Sequence, residues 1–180
     1  MDGAAVPPSW LLLIYSLPAH PTNKRVYVWR KLKQLGAVYL VDSVSALPYT
    51  ERHREHLQWI AAEIVEMGGG ATYFQASSLG PQQDAQLRRQ FEEQATERYT
   101  SITEALDRLE ATSHPPSIET EDPLRRLTAQ FRLAYAQDFF HSATGATVRR
   151  RLERLLRARS VEGGEDDAHD DMGDLATSRD

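Results

Sequence analysis

The 180-residue chain contains no cysteine, which excludes disulfides, thiolate metal sites and thiol nucleophiles together. Long apolar runs are also missing. The longest strongly apolar stretch, residues 10–15, falls far short of the ~20 residues a spanning helix requires. Met1-Asp2-Gly3 carries no basic residue of the kind that opens a secretory signal. A cytoplasmic protein with no membrane partner is expected. Catalytic signatures are equally scarce: the chain has no Gly-x-Ser-x-Gly elbow and no His-Glu-x-x-His. Gly68-Gly69-Gly70 lacks the Lys-Ser/Thr that would follow in a phosphate-cradling loop, and reads as a flexible helix exit. Neither an enzyme nor a bound cofactor is expected.

Charge is present but unevenly placed. The net charge of −5 arises in a tail: from Ser160 onward eight acids stand against Arg179 alone. Residues 1–159 hold the remaining 18 acids and 20 bases and are close to neutral. With little but glycine, acids and polar residues after Ser160, a disordered acidic tail over residues 160–180 is expected. A disordered lead is expected over residues 1–9.

Between these ends the hydrophobic period changes several times. Trp10-Leu11-Leu12-Leu13-Ile14-Tyr15, stopped by Leu17-Pro18, suits a buried central strand. Val26, Trp29, Leu32 and Leu35 predict a helix face, with Gly36 placed to cap it. Residues 38–41 and 44–47 flank Asp42-Ser43 and predict a hairpin closed by Pro48. Leu57, Ile60, Ala61, Ile64 and Val65 predict a second helix, starting after Thr50, and residues 71–76 a last strand. The order βαββαβ predicts an α+β, ferredoxin-like domain over residues 10–78: a four-stranded antiparallel sheet with both helices on one face.

A helical extension is expected over residues 79–159. Leu87, Phe91, Tyr99, Ile102, Leu106 and Leu109 lie on one stripe of a helix of roughly 30 residues opened by Pro81. A break follows over residues 113–122. Asp122-Pro123 is a suitable N-cap and first turn for a second helix with the stripe Leu124, Leu127, Phe131, Tyr135 and Phe139. Thr144-Gly145 is expected to end it, with Val148, Leu152 and Leu155 on a short third helix. Each helix has an apolar stripe to hide, which predicts pairing as an antiparallel hairpin.

Two basic clusters are the candidate sites. Lys24, Arg25, Arg30, Lys31 and Lys33 lie on the first helix with no acid among them. Lys24 and Arg25 fall in its first turn, where backbone N–H groups favour a phosphate or small oxyanion; the competing reading is a solvated helix face. The second cluster is Arg149, Arg150, Arg151, Arg154, Arg157 and Arg159, with Glu153 as the only acid among them. Arg150, Arg154 and Arg157 share one face that suits a nucleic-acid backbone; pairing of this helix with the acidic tail is the alternative. His53 and His56 stand three apart, next to Glu55, without a third recognisable metal ligand, so surface histidines are expected and no metal site.

Several segments together resemble the N-terminal domain of the chromate-resistance ChrB family. They are Trp10-Leu11-Leu12-Leu13-Ile14 through Leu17-Pro18, Arg25-Val26-Tyr27-Val28-Trp29-Arg30 through Leu35-Gly36-Ala37, and Ser43-Val44 through Leu47-Pro48. Ala136-Gln137-Asp138-Phe139-Phe140 is similar to the same family's helical segment. The resemblance covers residues 10–156 and implies a transcriptional regulator of chromate resistance, binding operator DNA and responding to chromate. Members commonly carry a further C-terminal domain that these 180 residues do not include. More distantly, the opening pattern resembles the ferredoxin-like domain of PaaX-type repressors and of small CRISPR-associated nucleases. The nucleases' metal-holding aspartate near the end of the first strand has no counterpart here, where Tyr15-Ser16 stand. Three readings follow: a DNA-binding regulator, a docking module that forms a homodimer or takes a partner through the stripe of residues 87–109, and a handler of chromate or another oxyanion at Lys24 and Arg25.

Overall fold

A computed structural model describes residues 9–20, 23–111 and 122–162. Most of the expected lead over residues 1–9, of the break over 113–122 and of the acidic tail over 160–180 lies outside the described residues. They fall into two compact units, Met1–Phe91 and Glu92–Asp180. Among the described residues no helix is long and apolar enough to cross a membrane.

The first unit runs β1 (Ser9–Ser16), α1 (Asn23–Gln34), β2 (Val38–Val41), β3 (Val44–Pro48), α2 (Glu51–Glu66) and β4 (Gly70–Ser77). The strands form one sheet in the order β2-β3-β1-β4, antiparallel throughout, which is the ferredoxin-like arrangement expected from βαββαβ. The apolar run of residues 10–15 makes β1 a central strand, paired to β3 on one side and to β4 on the other. Thr50 caps α2, its hydroxyl accepting from the His53 N–H at 3.0 Å. Gly36 and Gly68 take positive φ (82° and 81°) and close α1 and α2 by N–H bonds back into the last turn, a conformation that favours glycine.

The buried apolar residues of this unit include Leu11, Leu13 and Leu47 of the sheet, Val28 and Leu32 of α1, and Leu57, Ile60, Ala61 and Ile64 of α2. Trp10, alternating with Leu11, points to the sheet's other face, where its ring stacks on Phe91 (centroids 5.6 Å apart, planes 9° apart). Its indole N–H donates to Asp84 Oδ1 at 2.9 Å. Phe91 and Asp84 belong to α3 (Pro81–Ala111), so the first turns of that helix are part of the first unit.

The inward face of α1 is only partly the one its period predicts: Leu32 of the expected stripe is buried. Val26 and Trp29 are exposed at 40% and 44%, while Val28 and Leu32 are fully buried. The helix is apolar on more than one side, and the sheet takes the side of Val28. Val65 of α2, expected inside, is likewise exposed.

The second unit holds the rest of α3, α4 (Pro123–Tyr135) and α5 (Ala143–Glu162). Asp122 caps α4 through a bond from the Leu124 N–H at 3.1 Å, with Pro123 in the first turn as expected. Tyr99, Ile102 and Leu106 of α3 pack with Leu127, Phe131 and Ala134 of α4 and Val148 and Leu152 of α5. Three helices share this core rather than two. Helix α4 ends at Tyr135, before Phe139, and Gly145 lies inside α5 instead of breaking a helix.

Candidate functional site

Rotation of α1 about its axis divides its five cations. Lys24 and Lys31 are half-buried and serve the fold. Lys24 Nζ donates to the Met67 carbonyl at 2.9 Å, and Lys31 Nζ meets both Glu63 oxygens at 2.5 and 2.7 Å, so each ties α1 to the end of α2. The Glu63 carboxylate holds the Lys31 ammonium above its ordinary value. Arg25, Arg30 and Lys33 are exposed. Arg25 donates to the Leu17 carbonyl at 3.2 Å, and the Lys33 ammonium lies 4.8 Å from the centre of the Trp29 ring. No acid pairs with these three among the described residues.

Aromatic side chains accompany them. Tyr27 and Trp29 are exposed on α1, the former with Lys31 4.8 Å from its ring centre, and Trp59 on α2 is 73% exposed. Trp59 lies one turn before Glu63, the partner of Lys31, so helical spacing puts it on the side of α2 that faces α1. The sequence pattern placed Trp29 in the core and gave Trp59 no role. The off-stripe position of Trp59 relative to Leu57, Ile60, Ala61 and Ile64 was the available signal.

The arginines of α5 are arranged differently. Arg151 meets Asp107 at 2.6 Å and Glu110 at 2.7 Å, and Arg154 meets Glu110 at 2.7 Å. Glu153 serves Arg149 at 3.2 Å and Arg157 at 3.7 Å, while Arg159 pairs with Asp122. Arg150 bonds only the Thr147 hydroxyl, at 3.2 Å, and has no acid partner among the described residues. The carboxylates that meet Arg151, Arg154 and Arg159 come from elsewhere in the chain. Paired with both arginines, Glu110 is held below its ordinary value and Arg151 above its own. Most of the positive charge on this helix is therefore neutralised inside the second unit.

A buried polar cluster joins α3 to the start of α5. Asp138, only 2% exposed, accepts from the Tyr99 hydroxyl at 3.2 Å and from the Ser142 N–H and hydroxyl at 3.0 and 2.9 Å. Ser142 Oγ in turn accepts from the Gly145 N–H at 3.0 Å, an ordinary serine N-cap. Each group of this cluster has a structural partner. Nearby on α3, both terminal nitrogens of Arg98 are buried without a hydrogen-bond partner, and desolvation lowers its pKa despite the charge of Glu97.

The histidine pair forms no metal centre with neighbouring acids: among the described residues no group of three potential ligands comes together. His53 and His56 Nδ1 atoms lie 2.8 and 2.6 Å from the Pro48 and Arg52 carbonyls. Burial pushes His53 below its ordinary 6.5. The end of β1, where the nuclease pattern would require an aspartate, presents Tyr15, its hydroxyl 3.4 Å from that of Tyr39.

A family model described as "Protein ChrB, N-terminal" matches residues 25–114, from α1 beyond the end of α3. Protein ChrB of Cupriavidus metallidurans is 33% identical over 84 residues, which is 47% of this chain and 26% of that protein. The match thus spans about a quarter of the curated relative's length. With half of its residues matched by the family model, the chain belongs to the ChrB family through that family's N-terminal domain.

Proposed function

We propose that this chain is a non-catalytic regulatory protein of chromate resistance that contacts operator DNA through the exposed face of α1. The observation that carries this reading is the unpaired state of Arg25, Arg30 and Lys33 with respect to acids, beside a helix-wide absence of acidic residues. Cations not already neutralised are the ones that release counterions from a phosphate backbone. Helix α5, first in line on sequence, contributes through Arg150 at most, because its other arginines hold carboxylates. The stretch matched to the family model includes α1 and excludes α5.

Chromate enters as the signal that weakens DNA contact. Against its direct binding by Lys24 and Arg25 stands the donation of both side chains to backbone carbonyls. A second reading, a docking module for a protein partner, is favoured by the exposed rings of Tyr27, Trp29 and Trp59.

A fluorescence-anisotropy titration with the operon's own promoter DNA and a scrambled duplex, at two salt concentrations, with and without chromate, tests this. Charge reversal of Arg30 and Lys33 to Glu should weaken binding to both duplexes and flatten the salt dependence by about one unit per lost contact. Arg154→Glu should change little. No binding at low salt, or loss only with Arg154→Glu, would reject α1 as the contact. Loss of promoter preference on adding chromate would place the sensor within these residues.

A further inference from the structure

Strand β4 is the outermost strand of its sheet. Residues 70–77 pair with β1 along one edge in unbroken register, and among the described residues no strand lies on the other edge. Its sequence, Gly-Ala-Thr-Tyr-Phe-Gln-Ala-Ser, contains no charge and no proline in eight residues. Proteins normally blunt such an edge by a charge, a proline, a bulge or a short strand, because open N–H and C=O groups template pairing with another chain. The opposite edge is blunted in that way: β2 has four residues and a register irregularity between Tyr39 and Val41. Apolar side chains also surround the open edge, with Phe74 and Tyr73 exposed at 50% and 36%, and Ile14 of the adjacent strand at 43%.

We propose that β4 is an interaction surface for a second copy of this chain, the two β4 strands pairing antiparallel about a two-fold axis perpendicular to the sheet. Such pairing opposes each residue to one of the same facing, so the axis passes through either a Phe74 or a Tyr73 pair. With Phe74 on the axis, Thr72 faces Ala76 and Tyr73 faces Gln75 of the other copy. With Tyr73 on the axis, Thr72 faces Phe74 and Ala71 faces Gln75. No charged side chain meets its own copy in either register, the condition that self-association imposes and that a charged strand would fail. Cross-strand aromatic pairing adds to the main-chain bonds. The strand is about 26 Å long at about 3.3 Å per residue. A single shared edge falls at the small end of stable interfaces, so association belongs at micromolar concentrations. This surface is separate from the α1 face, and the proposal stands whether or not that face binds DNA.

The test uses the full chain without DNA. Sedimentation equilibrium of the wild type from about 5 to 200 µM, a range suited to a small interface, should show a monomer–dimer equilibrium. Thr72→Lys combined with Phe74→Lys, both at exposed positions, opposes lysine to lysine in either register (74 to 74, or 72 to 74) and should weaken dimerisation by about tenfold or more; each single substitution should weaken it less. Their far-UV dichroism and tryptophan emission should match the wild type. Because the chain has no cysteine, Phe74→Cys or Tyr73→Cys introduces a single thiol that should oxidise to a crosslinked dimer, while Val41→Cys on the opposite edge should not. If a lysine variant fails to fold, the crosslinking comparison decides. A wild type that stays monomeric throughout overturns the proposal. So does a dimer that survives both lysine substitutions, or one that crosslinks through Val41→Cys and not through residues 73 or 74.

Discussion

Gly145 shows how little space surrounds the buried Asp138 cluster. A Cβ there would lie 2.7 Å from Asp138 Oδ2 and 2.8 Å from the Tyr99 hydroxyl, ends of two buried, mutually hydrogen-bonded side chains. Helix propensity favours alanine over glycine by about 1 kcal/mol, but crowding of a packed site costs about 1–3 kcal/mol, and here two polar atoms must separate as well. Gly145→Ala should therefore destabilise the second unit by about 1–3 kcal/mol, measured as a lower urea midpoint. A rise in midpoint would mean that α5 shifts freely. His53 gives a residue-scale dependence on pH. Its folded pKa lies below its ordinary 6.5 because burial disfavours the imidazolium. The stabilisation is complete above about pH 6.5 and declines as pH falls from there through the depressed folded value, since the unfolded chain takes up the proton first. Thermal scans of the first unit between pH 7 and 5 should show this decline. His53→Gln should remove part of the slope, and an unchanged slope would assign the dependence to other groups.

At the scale of elements, α1 and α5 reverse the order of the two basic clusters. The sequence made α5 the denser cation face, yet its arginines meet acids at Asp107, Glu110 and Asp122. Those partners stand 37 to 44 positions away. No local pattern reveals such pairing, whereas the Arg149–Glu153 and Arg157–Glu153 spacings do. Exposed pairs of this kind contribute roughly 0.2–1 kcal/mol each. Glu110→Gln, which removes two such pairs, should thus lower stability by no more than about 2 kcal/mol, while releasing Arg154 and leaving Arg151 to Asp107 alone. If α1 alone contacts DNA, anisotropy should show unchanged affinity for this variant; tighter, more salt-dependent binding would bring α5 into the contact. Strands, hairpin and caps were legible because each depends on residues a few positions apart: the apolar run of β1, Asp42-Ser43, Thr50, Asp122-Pro123. The facing of α1 was not. Val26, Val28, Trp29 and Leu32 permit two inward sides, and only contact with the sheet and α2 selects Val28 over Trp29. That choice also decides which cations are left for function: it turns Lys24 and Lys31 into ties and leaves Arg30 and Lys33 in solvent.

Two units with separate cores divide the molecule spectroscopically as well as structurally. All three tryptophans, Trp10, Trp29 and Trp59, lie within Met1–Phe91, and the second unit contains none. Trp10, stacked on Phe91 and bonded to Asp84, reports the packing of α3's first turns against the sheet. Trp29 and Trp59 report the solvated helix surface. The second unit is helical throughout its regular structure, so far-UV dichroism at the helical minimum weights it heavily. Chains with more than one core commonly depart from a single all-or-none transition. Gly145→Ala, acting inside the second core, should then lower the dichroism midpoint and leave the tryptophan-emission midpoint within error of the wild type. Equal shifts of both signals would mean that the two cores unfold as one cooperative body, with α3, which carries residues of each, transmitting the loss. In that event the helical unit is a stability partner of the α1 surface, and substitutions in its core would reduce DNA contact without touching a single cation.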